Sequence, residues 1–180
     1  MRGSEKAFIM ADMPYNTFED NAEQALKNAR RLMDETGCGA VKLEVSSDMV
    51  DTVRTLVEND IPVMAHIGLR PQMVVKEGGY KVKGKTPEDA KALLEDAKAF
   101  EEAGAFAILI EGTVASVAAE ITKAVSIPTI GIGASPECDG QILVTEDMLG
   151  ALEMKAPKFA KQYGDLRSVI GEMVESYAAD

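Results

Sequence analysis

The 180-residue sequence predicts an α/β fold with a parallel sheet, a (β/α)8 TIM barrel of which about six strand–helix units are present. Three observations predict it. Short apolar runs alternate about six times with longer amphipathic stretches, the pattern of βαβ units. The alternation repeats itself: a Glu-ended strand recurs after 67 positions (111 − 44), and an Ile-Pro strand after 66 (127 − 61). Polar residues punctuate the C-terminal ends of these strands: Asp12, Lys42 with Glu44, His66, and Glu111. In a barrel such ends converge on one site, which favours a barrel over a doubly wound sheet. At about 30 residues per unit, against about 250 for a full barrel, 180 residues supply about six units. The expectation is one partial barrel domain over residues 1–180.

In order, residues 7–12 are a short apolar run closed by Asp12 and Pro14, a buried strand. Thr17 is the expected cap of a helix reaching Thr36. Ala22, Ala25, Leu26, Ala29, Leu32 and Met33 form its buried stripe, and Gly37 stops it. Ala40-Val41-Lys42-Leu43-Glu44 is a strand with Val41 and Leu43 on one face, Lys42 and Glu44 on the other. A helix starts near Ser47 or Asp48. Residues 61–68 are the next strand, with Pro62 at its start, where a missing N–H does little harm.

Residues 69–85 have no clear periodicity, as in a lid or in an ordered excursion over the barrel end. Thr86-Pro87-Glu88-Asp89 opens a helix that ends at Gly104: a cap, Pro at the first helical position, then acids at the positive dipole end. Residues 105–111 copy the first Glu-ended strand. A helix covers about 114–125, and residues 127–134 copy the Ile-Pro strand. Residues 140–144 are the last strand, and the tail from Pro157 is helical and charged.

A net charge of −11 argues against a nucleic-acid partner or an anionic membrane surface. No apolar run is long enough to span a bilayer. Cys38 and Cys138 stand apart from each other and from any metal-ligand spacing. They are expected to be free thiols of a reducing compartment, and the cytoplasm is the expected location.

Asp12 and Glu44 are hard oxygen ligands suited to Mg²⁺, although Asp beside Pro is also an ordinary turn former. Lys42 is placed to neutralise a substrate carboxylate or a developing enolate. Otherwise Lys42 and Glu44 are a charge pair on an exposed edge strand. Glu111, alone on an apolar strand, is a candidate general base with a raised carboxyl, or else a salt-bridge partner. His66 is the only histidine, either a pocket residue or a hydrogen-bonded core residue. Gly131-Ile-Gly-Ala-Ser135 is a Gly-rich turn where barrels often bind phosphate, but it matches no phosphate-loop pattern.

Several stretches occur in the order found in one family: Ala-Asp12-Met-Pro, Val-Lys42-Leu-Glu44, Met-Ala-His66-Ile-Gly-Leu-Arg-Pro-Gln72, Gly-Gly-Tyr-Lys-Val-Lys-Gly84, Ile-Leu-Ile-Glu111, Ile-Pro-Thr-Ile-Gly-Ile-Gly-Ala134 and Asp139-Gly-Gln-Ile-Leu-Val144. With Pro157-Lys-Phe-Ala-Lys161 they resemble ketopantoate hydroxymethyltransferase over nearly the whole chain. The resemblance implies a barrel of the phosphoenolpyruvate mutase type and large homo-oligomeric rings such as decamers. It also implies hydroxymethyl transfer from 5,10-methylenetetrahydrofolate to 3-methyl-2-oxobutanoate, giving 2-dehydropantoate for pantothenate and coenzyme A. By resemblance, Asp12 and Glu44 would ligate Mg²⁺ and Asp12, Lys42 and His66 would meet the substrate. Glu111 would take the proton from C3. The family has two further strands before the one ending at Asp12, the second bearing a Gly-Asp-Ser motif that nothing here matches. The expectation is therefore the last six of eight units, with weak or absent Mg²⁺ binding. Two alternatives stay open: another Mg²⁺-dependent lyase or mutase acting on a small α-keto acid, and a non-catalytic, oligomer-forming fragment.

Overall fold

Six strands pair edge to edge in sequence order, and every pairing is parallel. They are β1 (Met10–Asp12), β2 (Ala40–Glu44), β3 (Val63–Gly68), β4 (Ala107–Glu111), β5 (Thr129–Ile132) and β6 (Gly140–Gln141). The structure is a computed structural model and describes residues 3–4, 6–153 and 156–180. Helices α1 (Ala22–Thr36), α2 (Val50–Glu58), α3 (Pro87–Glu102) and α4 (Ala115–Ala124) make the first four crossovers. This is the predicted α/β arrangement, six parallel strands of a partial barrel. The chain forms two compact units, 1–141 and 142–180, and all six strands belong to the first.

The sheet has two kinds of face. Val41, Leu43, Val63, Ala65, Ile67, Ile108 and Ile110 pack against the buried sides of the helices, including Ala25, Ala29, Leu56, Phe100 and Ile121. The alternate residues Met64, Ala107, Leu109 and Ile132, with Met10 and Ile130, form a second apolar cluster. A parallel strand covered on both faces must be apolar at every position, which explains the near-continuous Val/Ile/Leu runs. Lys42, His66 and Glu111 interrupt that rule on the second face.

Helix ends follow sequence chemistry. Gly37 closes α1 at φ 70°, the left-handed conformation in which a side chain is strained, and donates its N–H to the Met33 carbonyl. Thr86 caps α3 by accepting from the Asp89 N–H, with Pro87 at the first position. The N-terminus of α1 differs from expectation. Asn21, not Thr17, caps it by accepting from Gln24 N–H, while the Thr17 hydroxyl donates to the Pro14 carbonyl and closes a separate turn. Both are good capping residues, and the register of the apolar stripe decided between them.

Several strands are shorter than predicted. Pro62 lies outside β3, although its carbonyl still accepts from Val41 N–H. β6 keeps only Gly140–Gln141, because Thr145–Leu149 turns into a short helix, α5, which leaves Ile142 and Val144 half exposed. Within the second unit, residues 157–165 are not helical. The tail helix α6 is Leu166–Ala179, capped by Asp165. Among the described residues no helix is long and apolar enough to cross a membrane, and Cys38 and Cys138 are free and buried.

The 69–85 stretch is an ordered excursion. It holds a short 3-10 turn, Pro71–Met73, and returns through Lys83, whose N–H donates to the Gly112 carbonyl while its own carbonyl accepts from Val114 N–H. Arg70 and Lys83 both bind Glu77 within it. Burial alone would raise the Glu77 carboxyl, but the two cations outweigh burial and hold it below the usual range.

Candidate active site

Strand alternation puts Asp12, Lys42, Glu44, His66 and Glu111 on the sheet face of the second apolar cluster, toward the strands' C-terminal ends. In the register, Asp12 lies beside Lys42, Glu44 beside His66, and Gly68 beside Glu111. All five predicted residues are therefore neighbours on β1 to β4.

Four of them form a continuous polar row across four strands. Asp12 Oδ1 lies 3.0 Å from Lys42 Nζ, and Lys42 Nζ lies 3.4 Å from His66 Nδ1. His66 Nε2 in turn lies 3.3 Å from Glu111 Oε2. A lysine ammonium only donates, so Nδ1 is the accepting nitrogen and the proton of a neutral imidazole sits on Nε2. Nε2 faces Glu111 without the alignment of a hydrogen bond, so that contact is electrostatic. Burial lowers the His66 pKa, and the Glu111 carboxylate only partly opposes this. The ring is 1% exposed and neutral at pH 7. Side-chain exposure is 59% at Asp12, 15% at Lys42, 2% at His66 and 16% at Glu111, so Asp12 meets solvent and His66 is the enclosed point of the row.

Gly68 lets β3 and β4 close at this point. Its φ is +89°, and a Cβ there would sit 2.3 Å from the Glu111 carbonyl oxygen. Leu69 N–H and the Thr113 hydroxyl both donate to that same oxygen, which fixes the backbone under the Glu111 carboxylate.

Burial perturbs the Glu44 carboxyl. The residue is 7% exposed, and burial pushes its carboxyl up to about 7, against the pull of the Gln72 N–H and Lys42. The Gln72 backbone N–H donates to both carboxylate oxygens, at 3.0 and 3.2 Å. The Gln72 side-chain Nε2 donates to the Met13 carbonyl at 3.0 Å, beside Asp12. Reading the sequence for chemistry singled out Glu44 but missed Gln72. Its signal is faint: a Gln-bearing turn directly after the strand that carries His66.

Asp12 and Glu44 end adjacent strands on one face, and Glu44 is a buried carboxylate short of positive charge. That fits a hard cation taking one or two protein carboxylates plus water, the habit of Mg²⁺. It does not fit a caged transition metal, since no group of three His, Cys, Asp or Glu assembles among the described residues. The Gly131–Ser135 turn is held by its own hydrogen bonds. The Ser135 hydroxyl accepts from Glu137 N–H, and its carbonyl from Gln141 Nε2.

The family model for ketopantoate hydroxymethyltransferase matches residues 1–180. The chain belongs to the ketopantoate hydroxymethyltransferase family. It is 56% identical over 180 residues to the 3-methyl-2-oxobutanoate hydroxymethyltransferase of Mesorhizobium japonicum, matching all of this chain and 63% of that protein. It is 53% identical to that of Phenylobacterium zucineum and 52% to that of Geobacter metallireducens, again over all of this chain, and over 65% and 67% of those proteins. The chain thus spans about two thirds of the length of these relatives. Two solved structures from Burkholderia cenocepacia J2315 share the fold of this ketopantoate hydroxymethyltransferase family member. One, provisionally named a phosphonomutase, has TM-score 0.52 and 14% identity over 71% of this chain and 54% of that one. The other, provisionally named a lyase/mutase, has TM-score 0.51 and 18% identity over 94% and 59%.

Proposed function

We infer that this site removes the C3 proton of 3-methyl-2-oxobutanoate and supports hydroxymethyl transfer to it from 5,10-methylenetetrahydrofolate, giving 2-dehydropantoate. The observation that carries the reading is the row Asp12–Lys42–His66–Glu111, with Glu44 buried beside it. Glu111, at the end of the row away from Asp12, is the base that takes the C3 proton. Lys42 neutralises the substrate carboxylate or the charge that develops on the enolate. His66, neutral and with its proton on Nε2, lines the pocket between them. Asp12 and Glu44 are the residues that would hold Mg²⁺, and Asp12 also faces the substrate. Bound there, Mg²⁺ would supply Lewis-acid polarisation of the keto oxygen. The substrates are small molecules, and by its family the chain is proposed to work as a homo-oligomer, as a single domain, in the cytoplasm.

Proton NMR of 3-methyl-2-oxobutanoate in D₂O with the protein and Mg²⁺ tests this without folate. Deuterium should enter at C3, and entry should stop with EDTA and in Glu111→Gln. Absence of exchange from a sample that melts cooperatively overturns the catalytic reading for this chain and favours a folded, inactive piece.

A further inference from the structure

Two buried side-chain polar atoms lack a hydrogen-bond partner among the described residues, His66 Nε2 and Gln72 Oε1. Both lie at the site. His66 Nε2 faces Glu111, but nothing assigned above uses Gln72 Oε1. The identity of that atom is settled by chemistry. The Met13 carbonyl can only accept, so the amide nitrogen faces it and the oxygen is the atom left over. Gln72 also spans the two carboxylate-bearing strand ends. Its backbone N–H holds both oxygens of Glu44, and its side chain reaches the residue after Asp12. The turn that carries it is anchored on both sides, by Arg70 and Lys83 on Glu77 and by the Lys83 backbone on Gly112 and Val114. A buried acceptor held this firmly without a donor is a place where a donor binds.

We propose that Gln72 is the outer-sphere residue of a hydrated divalent-cation site at Asp12 and Glu44, its Oε1 accepting a hydrogen bond from water on the cation. The inference rests on the cation reading above. Water on a hard divalent ion is a strong donor, and Mg²⁺ gives up its waters reluctantly, so a neutral carbonyl acceptor on a residue that also holds Glu44 and bonds the neighbour of Asp12 matches it. The backbone N–H that orients Glu44 completes the same device, because outer-sphere partners set ligand orientation and affinity.

Mn²⁺ stands in for Mg²⁺ in the test, read by electron paramagnetic resonance of the free ion and by water-proton relaxation, on the full chain with 3-methyl-2-oxobutanoate present. Gln72→Met removes both amide functions and keeps the backbone N–H. Gln72→Glu removes the donor to Met13 but keeps an acceptor. The wild-type chain should bind Mn²⁺ weakly, as expected for two carboxylate ligands, Gln72→Met about 10–100-fold more weakly still, and Gln72→Glu at least as tightly as wild type. If both variants weaken equally, Gln72 is only a strut to Met13 and the proposal falls. If Gln72→Met binds like wild type, it falls as well. Failure of the wild type to bind, with a normal melting transition, overturns the cation site itself and this proposal with it. Should Gln72→Met not fold, Gln72→Glu decides, because a strut-only role predicts weaker binding.

Discussion

The two copies of the repeat have nearly the same backbone plan and opposite chemistry. In the first, β2 and β3 end in Lys42, Glu44 and His66. In the second, β4 and β5 place Leu109, Glu111 and Ile132 at the corresponding positions. The first copy supplies three polar side chains to the site and the second supplies one. The shared Glu differs too. Glu44 is covered by the Gln72 turn and pushed up to about 7, whereas the Glu111 carboxylate stands beside a neutral imidazole. Each strand end delivers a side chain to the same level, but the loop lying over it sets what that side chain can do. The excursion at 69–85 covers Glu44, and its two ends bond the second copy, Leu69 at the Glu111 carbonyl and Lys83 at Gly112 and Val114.

Exchanging carboxylate for amide in each copy breaks the comparison most sharply. Glu111→Gln should slow C3 deuterium exchange by about 10²–10⁴-fold, the usual contribution of a general base. The same measurement on Glu44→Gln should show a loss that added Mg²⁺ partly reverses. Full activity of Glu111→Gln would move the base elsewhere.

Glu44→Gln should also change stability with pH. The folded-state carboxyl, at about 7, lies above its ordinary value of 4.5, so folding favours the protonated acid. That stability is complete below about 4.5 and is lost as pH rises through about 7. In urea melts in EDTA, the stability of wild type relative to Glu44→Gln should therefore fall by on the order of 3 kcal/mol between pH 5 and 8. Glu44→Gln should keep only the opposite contribution of buried His66, whose lowered pKa favours the fold as pH rises, and equal slopes would show that Glu44 is solvated.

Gly68→Ala should cost at least about 2 kcal/mol, because it combines a left-handed φ with a clash against the Glu111 carbonyl. A smaller shift of the urea midpoint would mean that the β3–β4 junction relaxes easily. The smallest effect on stability is expected from Lys42→Leu, which gives the first copy the second copy's residue. Its ion pair with the largely exposed Asp12 should be worth no more than about 1 kcal/mol. The loss in C3 exchange should be large all the same, since that depends on charge at the reacting atoms rather than on stability.

The strands and their order were legible in the residues because buried parallel strands must be apolar, and Gly37, Thr86-Pro87 and Pro62 mark ends by fixed backbone chemistry. Asp12, Lys42, Glu44, His66 and Glu111 were legible as candidates because each breaks an apolar run. The α1 cap was misplaced because Thr17 and Asn21 are equally good acceptors in isolation, and only packing of Ala25 and Ala29 chooses between them. The end of β6 was overestimated because Ile142 and Val144 alternate like a strand yet have no covering layer.

By itself the sequence determined the α/β alternation, the repeat, and which side chains reach the strand ends, because these depend on period and local backbone preference. Tertiary structure alone decided that four of those side chains form one row, that His66 is neutral, and that burial raises the Glu44 carboxyl. It also brought Gln72 across 28 residues to Glu44 and 59 to Met13. Those outcomes depend on burial and on distances between residues far apart in the chain, and neither quantity is written in local pattern.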